Sequence, residues 1–397
     1  MDTKTESDRA SVFCFSHLRW NFVYQRPQHL LTRCQTVADV HFWEEPVCEQ
    51  RILPALATSI GHAGVRVLTP LLPDGMPTGE KIFAQRRLLL DYLADLAPSC
   101  SIAWYYTPMA LQFSDVLSPD VTLYDCMDEL AAFFGAPPEL IELETQLFRR
   151  ADVVFTGGKS LFASKRSRHH NVHLFPSSVD REHFAAARRP QQDPADQARI
   201  PHPRVGFFGV IDERLDHALL RRVASDHPEW HFIFLGPVVK IREDELPRAS
   251  NIHYLGKKDY SELPTFLANW DVAMLPFALN ASTRFISPTK TPEYLAAGKP
   301  VVSTPIKDVI VPYGEMGLVK IGANAQEFAS AIEACLAGQD LPSLESVDTY
   351  LASNSWDKTF NAMWREIQRC VRQERRFRKA ARIEPTEERS RCLTTSL

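Results

Sequence analysis

Seven residues, Ser287-Pro288-Thr289-Lys290-Thr291-Pro292-Glu293, bring together the groups that would hold a phosphorylated ligand. Ser287 is a good helix N-cap and Pro288 a good first helical residue, so the spacing predicts a helix opening there and running to about Ala297. The first N–H groups of such a helix, on Thr289, Lys290 and Thr291, have no intrahelical acceptor and attract anions. Lys290 adds a full positive charge. Glu293, three residues on, shares its helical face. A rival start lies inside the motif: Thr291 disfavours helical geometry ahead of Pro292, so the helix could open at Pro292 with Thr291 as cap. An ordinary crossover helix with a solvated Lys and Glu is the plain alternative.

The segment around this motif explains how it would be positioned. Residues 270–277 (WDVAMLPF) have a strand's composition, Gly298 supplies the left-handed stop a helix favours, and Val301-Val302 reads as the next buried strand. Strand, loop, helix, Gly and strand make a βαβ unit of a parallel sheet. The same alternation fills the chain. Strands are expected at 11–16, 37–43, 65–68, 101–106, 121–124, 152–156 and 172–175, with helices at 80–96 and 138–150. After Ser/Pro punctuation at 176–179 and an Arg/Pro/Gln-rich stretch at 188–203, strands are expected at 204–209, 230–235 and 252–255, with a helix at 328–337.

Polar residues at the ends of these strands are further candidates, since open α/β sheets place ligands there. His17, Arg19, Arg26 and His29 follow the first strand, set against the alternative of solvated arginines and a satisfied histidine. Asp125, Asp128 and Glu129 follow the strand at 121–124, where helix capping is the plain reading. Gly209 would allow close backbone approach to a ligand, and Arg214 follows it. Gly157-Gly158-Lys159-Ser160 lacks P-loop spacing and gives no reason to expect nucleoside triphosphatase activity.

Composition narrows the classes. The 397 residues suffice for two domains, and a net charge of −4 gives no drive toward nucleic acid. No apolar run reaches the roughly 18 residues of a spanning helix. The polar start and eight scattered cysteines without a C-x-x-C pair suggest reduced thiols and a cytoplasmic address. No metal-ligand spacing occurs, so no metal is expected. The Leu-rich face of helix 80–96 and the Arg-rich tail beyond Val371 are the two stretches where contact with the inner face of a membrane competes with core packing or solvation.

The run Ser-Pro-Thr-Lys-Thr-Pro-Glu-Tyr-Leu-Ala-Ala-Gly-Lys-Pro-Val-Val at 287–302 resembles the donor-binding segment of the large bacterial group 1 family of retaining glycosyltransferases with the GT-B fold, in the subgroup linked to surface-polysaccharide assembly. The resemblance extends over about residues 11–370. It implies an α/β protein of two facing Rossmann-like, doubly wound domains with the active site in the cleft between them. Residues 1–177, with a helix and tail at 356–397 packing back, would form the acceptor side, and 178–355 the donor-binding side.

The resemblance also implies roles. Glu293 would hold the ribose of a nucleotide-sugar, and Lys290 with Ser287, Pro288, Thr289 and Thr291 its diphosphate. Gly209, Arg214, Gly256 and Lys258 would complete the donor site, with Arg19 and Arg26 facing the diphosphate. Asp128 and His17 would act on the acceptor side, so that Asp128, His17 and Lys290 form the catalytic set. The nucleotide-diphosphate-sugar is a co-substrate, no other cofactor is implied, and a glycan or lipid-linked glycan is the acceptor. The chain departs from the family where a second Glu is usual eight residues before Glu293: Phe285 stands there. That departure motivates one rival, a non-catalytic sugar-nucleotide or glycan binding module; a nucleotide-sugar 2-epimerase, which shares the two-domain fold and the donor site, is the other.

Overall fold

The computed structural model describes residues 9–96 and 98–383. The chain builds two sheets in succession. The first has nine strands: β1 Ser11–Phe15, β2 Asp39–Trp43, β3 Val47–Glu49, β4 Ala55–Ile60, β5 Arg66–Pro73, β6 Ser101–Tyr105, β7 Val121–Cys126, β8 Val153–Thr156 and β9 Val172–Leu174. Their order is β3-β5-β2-β1-β6-β7-β8-β9. All pairs are parallel except β4, which lies antiparallel on β5 from Ala55–Leu71 to Ile60–Arg66. The second has six parallel strands: β10 Arg204–Phe208, β11 His231–Leu235, β12 Ile252–Tyr254, β13 Val272–Leu275, β14 Val301–Ser303 and β15 Lys320–Ile321, ordered β12-β11-β10-β13-β14-β15. Central strands such as β1 and β10 are buried along their whole length, which is why they read as unbroken apolar runs.

Strands β3 and β4, each of which pairs with β5, are not among the strands expected from sequence. Residues 47–60 alternate weakly and β4 is mostly exposed, so periodicity gives no signal. The helix Thr78–Ala94 turns its Leu-rich face inward: Leu89 is in the first domain's core, and Leu88, Tyr92, Leu93 and Leu96 pack against that core. Core packing, not a lipid surface, accounts for those leucines. The long helix Trp356–Ile383 lies on the first sheet, where Trp356, Phe360, Met363, Ile367 and Cys370 join the cluster of Val12, Leu30, Phe42 and Trp104. The last stretch of the Arg-rich tail, after Ile383, falls outside the described residues, as does the polar leader before Arg9.

Two glycines allow close packing, Gly157 within the first half and Gly158 at the seam between the halves. A Cβ on Gly157 would lie 2.9 Å from the Met127 carbonyl, and one on Gly158 would lie 2.3 Å from a carboxylate oxygen of Asp308 in the second half. Asp308 accepts the Ser160 N–H at 2.9 Å, and Ser177 Oγ donates to the Ser287 carbonyl at 2.9 Å. The Gly-Gly-Lys-Ser run is thus a place of close approach between the halves. Phe285 crosses the same seam and packs against the first domain's core.

Candidate active site

The carboxyl ends of β1 and of β10–β13 face a cavity of 390 Å³. The first half contributes the loop Trp20–Gln25, with Gln28 and His62. The second contributes Phe208, Gly209, Val210 and Arg214 after β10, Leu235–Pro237 after β11, Lys257–Tyr260 after β12, and Thr289, Lys290 and Glu293. A ligand cleft beyond the carboxyl ends of parallel strands is what this topology favours.

Lys290 and Glu293 occupy the first turn of the helix Lys290–Ala296. This helix opens later than the sequence suggests. Had it begun at Pro288, the missing N–H of Pro292 would have faced the Pro288 carbonyl four residues back, and the ring would have clashed with it. Starting at Lys290 puts Pro292 in the first turn, where an N–H has no intrahelical partner to lose. Three expectations change in consequence. Ser287 is not the cap, and it lies off this cavity with its carbonyl held by Ser177. Pro288 is likewise off the cavity wall, and its carbonyl accepts the Thr291 N–H at 3.2 Å. Thr291 is fully buried, so that N–H is not available to a ligand. Thr289 remains on the wall. A helix of seven residues has a small dipole, and the positive charge here comes chiefly from side chains.

Gly209 makes the room for Lys290. Its φ is +131°, and a Cβ there would lie 2.2 Å from Lys290 Cε. Gly236 supports it in turn, since a Cβ there would lie 1.8 Å from the Gly209 carbonyl oxygen. Lys290 Nζ sits 5.6 Å from the Phe207 ring centre. Burial lowers the lysine's pKa; Glu293 raises it, Arg214 lowers it, and Asp212 and Asp128 raise it. Burial raises the Glu293 carboxyl, opposed by Lys290. Neither side chain has a hydrogen-bond or ion-pair partner among the described residues, although both face the cavity. A cation and a carboxylate kept unpaired at a cleft wall mark a site made for a ligand.

Arg214 also lines the cavity. Asp212 grips it with both oxygens, Nε at 2.9 and 3.0 Å and Nη2 at 2.7 Å, and its guanidinium lies 5.6 Å from the Phe133 ring centre. Asp212, one of the acidic residues around Arg214, holds the arginine's fork at a fixed angle. Asp128 comes from the first half and is not on the cavity wall. It belongs to the same electrostatic cluster: burial raises its pKa to about 6, Arg214, Arg26 and Lys290 oppose the rise, and Asp212 adds to it. His17, also off the wall, has a buried Nδ1 with no partner among the described residues. Burial and Lys240 lower its pKa to about 4, so the imidazole is neutral near pH 7.

Other expected contacts are engaged elsewhere. Arg26 makes a buried ion pair with Asp125, Nη2 to Oδ1 at 2.9 Å and Nε to both oxygens at 3.1 Å, and donates to the Phe175 carbonyl at 2.9 Å. Asp125 is therefore the partner of Arg26 and not a helix cap. Arg19 donates to the carbonyls of Glu45 and Pro46 at 3.2 Å each and lies off the cavity wall. Lys258 lines the cavity, but its ammonium is paired with Asp196. Gly256 is behind the wall, its carbonyl accepting the Gly236 N–H at 2.8 Å. His29 stacks on Trp356 with ring centres 4.5 Å apart, a packing role. Tyr24 of the first half and Tyr260 of the second stack on each other at the cavity; a tyrosine in a loop carries no motif, so sequence alone does not mark them as site residues.

Two facing α/β halves with a cleft at their strand ends and a closing helix returning to the first define the GT-B fold. Residues 202–338, within the second half, match the family model described as glycosyl transferases group 1. A Bacillus subtilis (strain 168) protein, TuaH, provisionally named as a teichuronic acid biosynthesis glycosyltransferase, is 27% identical over 240 residues, 55% of this chain and 60% of the relative. The match thus spans less than two thirds of that relative's length. Among solved structures, sucrose-phosphate synthase from Thermosynechococcus elongatus superposes with a TM-score of 0.67 at 14% identity, covering 91% of this chain and 99% of the other. An E. coli trehalose-6-phosphate protein bound with UDP-2-fluoro glucose gives 0.66 at 12%, with the same coverage. At such identities the likeness is one of fold.

Proposed function

We propose that this protein is a glycosyltransferase that moves a sugar from a nucleotide-diphosphate-sugar to an acceptor hydroxyl. The observation that carries the reading is the unpaired Lys290 and Glu293 on one cavity wall, with Gly209 leaving space for the lysine. The group 1 match and the fold support it. Lys290 and Arg214 meet the diphosphate, and Glu293 accepts from the ribose hydroxyls. As the bond from the anomeric carbon to the diphosphate oxygen breaks, negative charge grows on that oxygen, and two cations already in place stabilise it. The acceptor oxygen bonds the anomeric carbon on the face the diphosphate leaves. Its proton passes to the departing diphosphate, so configuration is retained and atoms balance. Binding the anion also raises the lysine's pKa again, so the charged form is secured when it is needed.

Asp128 and His17 lie on the acceptor side in this reading. The acceptor is a glycan or lipid-linked glycan of a cell-surface polymer, which the teichuronic acid relative favours. A lipid-linked acceptor would bring the protein to the inner face of the membrane. Among the described residues no helix is long and apolar enough to cross one. No metal is assigned a role.

The test is a donor screen that reads released UDP, GDP or ADP with and without glycan acceptors. Acceptor-dependent release supports transfer. Turnover of the sugar nucleotide without any acceptor would favour a 2-epimerase, and binding with no release under any condition a non-catalytic module.

A further inference from the structure

Tyr260 opens the short turn Tyr260–Glu262 after β12 and lines the cavity together with Tyr24 and Glu293. Its ring cannot swing. Tyr24 of the first half stacks on it at 4.6 Å and 26°, and His183 stacks at 4.2 Å and 10°. Phe184 meets its edge at 5.6 Å. His183 Nε2 lies 2.9 Å from the Tyr260 carbonyl oxygen, fixing the backbone as well. The phenol at the end of this clamped ring is buried and has no hydrogen-bond partner among the described residues. Burial keeps it protonated, and after burial its largest electrostatic influence is the Glu293 carboxylate.

A fixed O–H donor and a carboxylate acceptor, both unpartnered, thus stand near one another on one wall. A buried unsatisfied hydroxyl is costly, and such groups mark places where a ligand completes the bonding. The ligand group that suits both is a hydroxyl, which donates to the carboxylate while accepting from the phenol. We propose that Tyr260 holds the ribose of the nucleotide together with Glu293, donating its phenolic proton to one of the two ribose hydroxyls, so that the site selects ribonucleotides over their deoxy counterparts. The proposal rests on the reading of Glu293 as the ribose acceptor.

The test uses the full chain and calorimetric titration. UDP, GDP and ADP are titrated first, and the tightest binder is compared with its 2′-deoxy and 3′-deoxy analogues against wild type, Tyr260→Phe and Glu293→Ala. Phenylalanine keeps the stack and removes only the donor. Tyr260→Phe is expected to bind the ribonucleotide about 3- to 10-fold more weakly, the range of one hydrogen bond, and to bind one of the deoxy analogues as wild type does. Unchanged binding of the ribonucleotide, or equal weakening of all three ligands, overturns the proposal. If Tyr260→Phe does not fold, Glu293→Ala decides. Its residual preference for the ribonucleotide over one analogue supports Tyr260, and equal affinities overturn it. If instead Glu293→Ala leaves the wild-type preference intact, the ribose reading of Glu293 itself falls, an outcome separate from the loss of Tyr260 alone.

Discussion

Lys290 and Glu293 stand three residues apart on one short helix, facing one cavity, yet they do not close an ion pair on each other. Their separate freedom predicts separate kinetics. Charge grows on the diphosphate as the sugar leaves, so Lys290 contributes more in the transition state than in the ground state. Lys290→Ala should lower kcat as well as weaken donor binding. The ribose changes little in the reaction, so Glu293→Ala should raise the donor KM by roughly 10- to 150-fold with a smaller effect on kcat. Steady-state kinetics over a donor series checks both. The opposite pattern would exchange the two roles.

Asp128 predicts a pH dependence. With its carboxyl raised to about 6, turnover should rise with pH through that value as the carboxylate forms opposite Arg214 and Lys290, and Asp128→Asn should remove this limb. The same shift fixes a sign for stability. The unfolded chain loses this proton near the ordinary value of 3.8 and the folded protein near 6, so between them the folded state binds more protons. Stability from this group is present at low pH and falls as pH rises through that window. Asp128→Asn should therefore melt above wild type at about pH 7.5, with the gap closing below about pH 4. Thermal unfolding across pH measures it, and a gap independent of pH would remove the buried-charge argument.

The residues that were legible and those that were not differ in a physical way. Lys290, Glu293 and Gly209 could be found because local sequence sets their surroundings: a Lys and a Glu on one helical face, and a Gly at a strand end. Arg26, Arg19 and Lys258 could not, because their partners are distant in sequence. Asp125 lies 99 residues from Arg26, and Asp196 lies 62 from Lys258. A basic residue at a strand end looks the same whether it awaits a ligand or is already paired. The parallel sheets were readable from apolar runs, while the largely exposed strands β3 and β4 left no such trace. Phe285 was visible as a missing carboxylate, but its packing on the first domain's core was not.

Arg26 predicts a structural phenotype. Its side chain and that of Asp125 are both almost fully enclosed. Arg26→Ala leaves a buried carboxylate without its partner, which costs about 3–5 kcal/mol. Denaturant unfolding should show that loss, and nucleotide affinity of the protein that remains folded should be unchanged. Weakened nucleotide binding at full stability would return Arg26 to the donor site.

Gly209→Ala joins geometry to catalysis. The added Cβ would come within 2.2 Å of Lys290 Cε and 2.7 Å of its Nζ, at a φ of +131° that alanine rarely adopts. The lysine end is flexible and is the part that can yield, so the methyl should drive the ammonium from its place near Phe207 and toward another rotamer. Kinetically the variant should copy Lys290→Ala: kcat falls and donor binding weakens. Backbone strain alone could also reduce activity, and the double variant separates the two causes. If the methyl acts by displacing the lysine, Gly209→Ala should do little further damage once Lys290 is alanine, and the two effects should be strongly non-additive. If Gly209→Ala lowers kcat by the same factor in both backgrounds, the damage runs through the backbone at Gly209, and this glycine has no special tie to the lysine.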